Sequence, residues 1–138
     1  MNTDRSQDIR DRTFAFACRV ARLCLDLTNR PGTRRIVEQL LKSGTAIGAN
    51  LEDAKPGSSK RDFIRYVEIS LREARETVYW LRIFLALQLG PRREVQELRG
   101  EAEQIARILG AIVVSSKGRL VFAPAVFAFC ILNVALLG

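Results

Sequence analysis

Three glutamates, Glu52, Glu73 and Glu76, could be taken for a carboxylate cluster suited to acid–base or metal chemistry. The 138-residue chain has no histidine, the commonest general base near neutral pH and the commonest zinc ligand beside cysteine. Metal sites inside helical bundles typically use Glu-x-x-His pairs. Pairing with Arg72, with Arg75 or with a neighbouring subunit is therefore the better interpretation. We predict no catalytic residues, no metal ion and no cofactor.

The three cysteines, Cys18, Cys24 and Cys130, are odd in number and show no C-x-x-C spacing. Neither a disulfide framework nor a zinc site is supported, and we expect buried, reduced thiols. The polar first ten residues contain no apolar core of a signal peptide. The sequence therefore predicts a cytoplasmic protein, unless its C-terminal tail anchors it to a membrane.

Arginines provide the strongest candidate for a binding site. An α-helix turns by 100° per residue, and on this basis five arginines of the third predicted helix lie within an arc of about 100°. Glu68 and Tyr79 interrupt this row. A guanidinium can hold a phosphate in a two-pronged geometry, and a tyrosine among them can stack on an unpaired base. The five predicted nucleic-acid contacts are Arg61, Arg65, Arg72, Arg75 and Arg82.

The alternative is a solvated face whose charges pair at helical spacing, Arg65 with Glu68 and Arg72 with Glu76 or Glu68. The net charge of +7 and the pI near 10.0 favour a polyanionic partner. Two further basic groups add to the positive charge. One consists of Arg34, Arg35 and Lys42, which we also predict to contact nucleic acid, and the other of Arg10, Arg12, Arg19 and Arg22.

Glycine and proline interrupt the chain at three places, which is typical of a few long helices. Helical periodicity predicts helices over residues 8–29, 34–54, from a cap at Ser59 to about residue 89, and 92–116. Thr33 is the expected cap of the second helix, and Gly90 is expected to end the third. The first helix has two sets of apolar residues: Phe14, Ala17, Ala21 and Leu25, and on the adjoining flank Phe16, Val20, Leu23 and Leu27. The expected fold is all-α, an antiparallel up-down-up-down four-helix bundle over residues 1–118.

Residues 119–138 form a predicted apolar C-terminal extension, in which the last 19 residues of the chain carry no charge. As a helix, these 19 residues would span about 28 Å, close to the thickness of a bilayer core. Pro124 and Asn133 argue against a membrane anchor. A tail that folds onto the bundle or into a cavity of an oligomer, and a recently acquired extension with no role, are comparable alternatives.

Small residues occupy the middle of the second predicted helix, with Gly44 and Gly48 four residues apart. Such spacing lets another helix approach closely, and we interpret it as a packing surface. We predict subunit contact or packing for five residues: Gly44, Gly48, Asn50, Tyr79 and Trp80.

Residues 39–52, a Pro/Gly/Ser turn, and the segments 60–64 and 70–81 together resemble a bacterial four-helix bundle family. This family includes proteins encoded by intervening sequences inside ribosomal RNA genes and the accessory variability proteins of diversity-generating retroelements. The resemblance extends from the first helix to about residue 116. It implies a homopentamer with a basic surface, which in the retroelement members serves a reverse transcriptase and nucleic acid.

The leading functional hypothesis is a non-enzymatic, oligomeric bundle that binds RNA or DNA mainly through phosphates. The first alternative is a structural or protein-interaction module, in which the small-residue helix and Trp80 organise subunits and the arginines only keep the assembly soluble. The second is a membrane-associated bundle anchored by residues 120–138.

Overall fold

The computed structural model describes residues 2–27, 30–54 and 57–120, and within these ranges the side chains of residues 8–118. Four helices make up the fold: α1 (Asn2–Leu27), α2 (Arg34–Asp53), α3 (Lys60–Ala86) and α4 (Arg92–Leu120). Consecutive helices pack along their length, and the less extensive contact between α1 and α4 closes the bundle. The described residues contain no strand. The predicted all-α four-helix bundle is confirmed.

The core is a continuous cluster of aliphatic and aromatic side chains from all four helices. Large side chains such as Phe16, Leu40, Phe84 and Leu109 are at most 1% exposed. The few buried polar side chains bond to backbone carbonyls, and Ser70 of α3 does so across the helix interface by donating to the Ile47 oxygen of α2 at 2.8 Å. This hydrogen bond sets the register of α2 on α3 as well as satisfying the hydroxyl.

The two apolar sets of α1 lie on opposite faces of the helix, not on adjoining ones as predicted, and only one of them enters the core. Phe16 and Val20 are buried, whereas Phe14 and Leu25 are each 70% exposed. Periodicity identified both sets of residues but not which set is buried, since that depends on where α2 and α4 lie.

Two helix starts differ from the prediction. Helix α1 begins at Asn2 rather than near residue 8. Thr33 takes the N-cap position of α2, but its hydroxyl donates to the Arg30 oxygen at 2.9 Å and makes no cap hydrogen bond. The predicted cap at Ser59 is confirmed, because its hydroxyl oxygen accepts from the Asp62 N–H at 3.2 Å.

Helix α3 ends earlier than predicted, and Gln88 rather than Gly90 makes the reversal. Gln88 has φ of +54°. The Leu89 N–H donates to the Phe84 oxygen at 2.9 Å and the Gln88 N–H to the Leu85 oxygen at 3.3 Å, the two hydrogen bonds of a Schellman motif. Gly90, at φ +71°, also lies against α1, where an added Cβ would approach Leu23 Cδ1 to 2.9 Å.

The predicted boundary at residue 118 falls just before the end of α4 at Leu120. The rest of the predicted extension, residues 121–138, lies outside the described residues, as does Cys130. Within the described part of the chain, no helix is long and apolar enough to cross a membrane.

Candidate nucleic-acid interface

The outward face of α3 presents the predicted arginines in one row. Positions 61, 65, 68, 72, 75, 79 and 82 follow alternating steps of four and three residues, so they lie on one side of the helix. The opposite side carries Val67, Ala74 and Leu81, which are buried in the core. All five arginines of the row, Arg61, Arg65, Arg72, Arg75 and Arg82, are exposed. We call these seven positions the α3 edge.

The acidic residues beside these arginines are bonded to other groups. Glu68 forms a salt bridge with Lys117 of α4. Glu76 accepts a hydrogen bond from Trp80 Nε1 at 3.2 Å. The pairings considered from the sequence, Arg65 with Glu68 and Arg72 with Glu76, are not formed. Among the described residues, the five arginines of the α3 edge have no salt bridge, which leaves their guanidinium groups available to an external anion.

Tyr79 interrupts the row at its C-terminal end and is 54% exposed. Its ring contacts the Trp80 ring edge-on, with centroids 5.4 Å apart and planes at 73°. Trp80 is itself half-buried and packs against the core. The tryptophan thus supports the tyrosine, whose ring remains accessible for stacking on a base.

The second basic group divides between two roles. Lys42 is exposed on α2 and lowers the pKa of Glu73 on α3, so its charge lies near the α3 edge. Arg35 is exposed as well. Arg34 donates to Glu38 of its own helix at 2.8 Å, and this pair reduces its charge. Of this group, Lys42 therefore adds positive charge close to α3, whereas the charge of Arg34 is partly offset by Glu38.

Of the three candidate carboxylates, Glu73 is half-buried on α3. Burial raises the pKa of Glu73 and repulsion by Glu76 raises it further, while Lys42 and Arg72 act in the opposite direction. Glu52 is exposed on α2. No group of three or more histidine, cysteine, aspartate or glutamate side chains suited to a metal ion occurs in the described part of the chain.

Most of the basic residues of α1 hold the bundle together. Arg12 donates two hydrogen bonds to Glu101 of α4, and Arg19 bridges Glu94 and Glu97 of the same helix. Arg10 reaches the end of α2 and donates to the Ala54 oxygen at 2.6 Å. Sequence reasoning missed these roles because their partners are more than 40 residues away along the chain.

The small residues of α2 pack inside the subunit. A Cβ added at Gly44 would approach Val20 Cγ1 of α1 to 2.8 Å, and one at Gly48 would lie 3.4 Å from the Thr13 hydroxyl. Asn50 donates from Nδ2 to the Ala46 oxygen within α2 at 2.8 Å. Gly44 and Gly48 thus serve the contact between α1 and α2 inside the subunit.

Comparison with protein families places the chain among known bundles. The family model of the 23S rRNA-intervening sequence protein matches residues 5–111. The chain belongs to this family. No similar protein was found among curated proteins.

A solved structure supports the placement in the 23S rRNA-intervening sequence family. The bundle is similar to the 1.70 Å crystal structure of a protein with unknown function from the S23 ribosomal protein family of Bacteroides thetaiotaomicron VPI-5482. The two are 32% identical, with a TM-score of 0.71, and the match covers 76% of this chain and 97% of that one. The whole α3 edge lies inside the region that the family model matches.

Proposed function

We propose that this member of the 23S rRNA-intervening sequence family is a non-enzymatic protein that binds nucleic acid through the phosphate backbone. The observation that carries the proposal is the α3 edge, in which five exposed arginines have no salt bridge among the described residues. A purely solubilising face would pair its charges at helical spacing, yet the two glutamates at that spacing bond to Lys117 and Trp80 instead.

The dimensions of the α3 edge suit a nucleic-acid strand. From Arg61 to Arg82 the helix rises about 32 Å at 1.5 Å per residue, close to the 34–36 Å of one duplex turn. The row displays repeated guanidinium forks along a rigid axis, and Glu68, which is paired with Lys117, is the one acidic residue among its seven positions. Such a surface suits phosphates and contributes little base readout.

Three finer expectations stay predictions of the sequence and of the resemblance. They are the pentameric copy number, a reverse transcriptase as a protein partner, and a cytoplasmic location. Phosphate binding by the α3 edge requires none of them, but several copies would strengthen binding through multivalency.

The salt dependence of binding tests the proposal. We expect a fluorescently labelled single-stranded RNA to bind with log K falling against log salt at a slope of about −3.5 if all five arginines contact phosphates. Replacing Arg72→Gln and Arg75→Gln should flatten the slope by about 1.4 and weaken binding for every sequence tested.

A charge-matched control distinguishes binding at the α3 edge from a general effect of the protein's net charge. Arg22→Gln with Arg93→Gln removes the same two charges from exposed positions on α1 and α4. This control should leave the slope within error of the parent. Equal losses in both double variants, or no binding at low salt, would reject the proposal and favour the structural or protein-interaction module.

A further inference from the structure

The outward face of α1 is apolar along three helical turns. Phe14 and Leu25 are each 70% exposed, and Cys18 between them is exposed as well. Ala21 completes the row and is half-buried. We call these four residues the α1 stripe. At 100° per residue they share an arc of about 60°, on the side of α1 opposite to the buried Phe16.

The spacing of the α1 stripe is that of a helix–helix seam. Steps of four, three and four residues repeat the a/d pattern by which one helix packs along another. The partner that fits such a row is a helix with apolar residues at the same spacing.

The α1 stripe points away from the basic surface. In the described residues the backbones of α1 and α3 do not approach each other closely, so these two helices occupy diagonally opposite corners of the bundle. The uncharged stripe and the five arginines of the α3 edge therefore face in opposite directions. Two copies of a chain with a net charge of +7 therefore repel each other less when they meet at the stripe than when they meet at the α3 edge.

We propose that the α1 stripe binds the α1 stripe of a second copy of this chain, with the two helices antiparallel. The row reads large, small, small, large in both directions. In the antiparallel arrangement, Phe14 of each copy meets Leu25 of the other, and Cys18 meets Ala21, so the large residues pack at the ends and the small ones let the helices approach in the middle.

The chain's own tail is a poorer occupant, because it starts at the wrong end. The pair Arg12–Glu101 sets the register of α1 on α4, and from it Leu120 lies about 48 Å along the bundle from the level of Leu25 at 1.5 Å per residue. A helix that runs back along the bundle from Leu120 would need about 32 residues to reach that level. An extended chain would reach further but would lay unpaired backbone groups against a helix.

This contact is separate from the proposed phosphate binding and from a five-copy ring. A two-fold contact joins copies in pairs, whereas a ring uses two different surfaces of each subunit. If rings form, the α1 stripe joins two of them. The measurable consequence is the same in either case, since loss of the stripe halves the mass of the assembly.

The mass of the full-length chain in solution, by sedimentation equilibrium, provides the first test. We expect Phe14→Glu with Leu25→Glu to halve the mass of the parent assembly. The matched control is Val114→Glu on α4, an apolar side chain that is 73% exposed, and it should leave the mass unchanged. A single-copy parent, an unchanged mass in the double variant, or a drop from five copies to one overturns the proposal.

Disulfide trapping provides a second test that does not depend on disrupting the surface. In the antiparallel arrangement, the thiol introduced by Ala21→Cys lies opposite Cys18 of the second copy. Mild oxidation followed by peptide mapping should give an intermolecular link between positions 18 and 21. Links only between Cys18 and Cys18, or none at native protein concentration, would overturn the antiparallel pairing, and circular dichroism confirms that each variant is folded.

Discussion

Arg12 of α1 holds Glu101 of α4 with two hydrogen bonds, from Nε to Oε1 at 2.5 Å and from Nη2 to Oε2 at 2.8 Å. The two side chains are only 30% and 24% exposed. Since α1 and α4 make the least extensive contact between neighbouring helices, this fork joins the first and last helices where their backbones approach each other least.

Glu101→Gln should lower the free energy of unfolding by about 1.5 kcal/mol, because it removes one charge from a partly buried, bidentate pair. Urea unfolding followed by circular dichroism measures the loss. The comparison variant is Glu97→Gln, whose partner Arg93 is 93% exposed and which also faces Arg19 at 3.3 Å. Glu97→Gln should lower the free energy of unfolding clearly less than Glu101→Gln does. Equal losses would contradict a special role for the Arg12–Glu101 pair.

The same pair predicts a dependence of stability on pH. The hydrogen bond from Arg12 holds the pKa of Glu101 below its ordinary value of 4.5. The stabilisation that ionised Glu101 gives to the folded protein is therefore complete above pH 4.5. It is lost as the pH falls through the pKa that Glu101 has in the folded state.

Unfolding curves of the parent and Glu101→Gln measure this effect. Their difference should be largest at neutral pH and shrink toward pH about 3. Burial raises the pKa of Glu73, so Glu73 changes the free energy of unfolding with pH in the opposite direction to Glu101. This effect is equal in the parent and in Glu101→Gln and cancels in their difference. A difference that stays constant over this range would contradict the assignment.

Two glycine substitutions should have opposite effects. Gly44→Ala places a methyl group 2.8 Å from Val20 Cγ1, and the overpacking should outweigh the helix propensity of alanine, for a net loss of about 1–2 kcal/mol. At Gly100 of α4 an added Cβ meets no atom within 4 Å, so Gly100→Ala should gain up to about 1 kcal/mol. Thermal unfolding of the two variants and the parent measures both effects. A gain in stability for Gly44→Ala would rule out close packing at Gly44.

Gln88→Gly should stabilise the protein by up to about 1 kcal/mol. Gln88 holds φ of +54° at the end of α3, a conformation that glycine adopts without the steric penalty of a side chain. Chemical unfolding of this variant tests the prediction. Gln96→Gly, in the interior of α4, serves as the control and should lose about 1 kcal/mol.

Tyr79→Ala should weaken binding to single-stranded RNA more than to a duplex. The exposed tyrosine ring can stack on an unpaired base but not on one inside a helix. Anisotropy with both probes at one salt concentration gives the comparison, and the salt slope should not change because no phosphate contact is removed. An equal loss for both probes would indicate a structural role beside Trp80.

The two cysteines of α1 differ in burial, which the sequence does not predict. Both Cys18 and Cys24 were expected to be buried, yet Cys18 is exposed, because it lies on the outer of the two apolar faces of α1. Cys24 follows the prediction, and burial raises its pKa to about 11. Periodicity alone assigns both residues to apolar surroundings and does not distinguish core from surface.

Four helices, their approximate ends, the Ser59 cap and the row of arginines on α3 follow from the sequence alone, because they depend on local spacing and on the chemistry of neighbouring residues. Only the tertiary structure decided which apolar face of α1 is buried and that Glu68 bonds to Lys117. It also showed Arg12 and Arg19 to be links between helices rather than surface charges. Each of these depends on contacts between residues distant in the chain, and helix packing creates those contacts without leaving a local signal in the sequence.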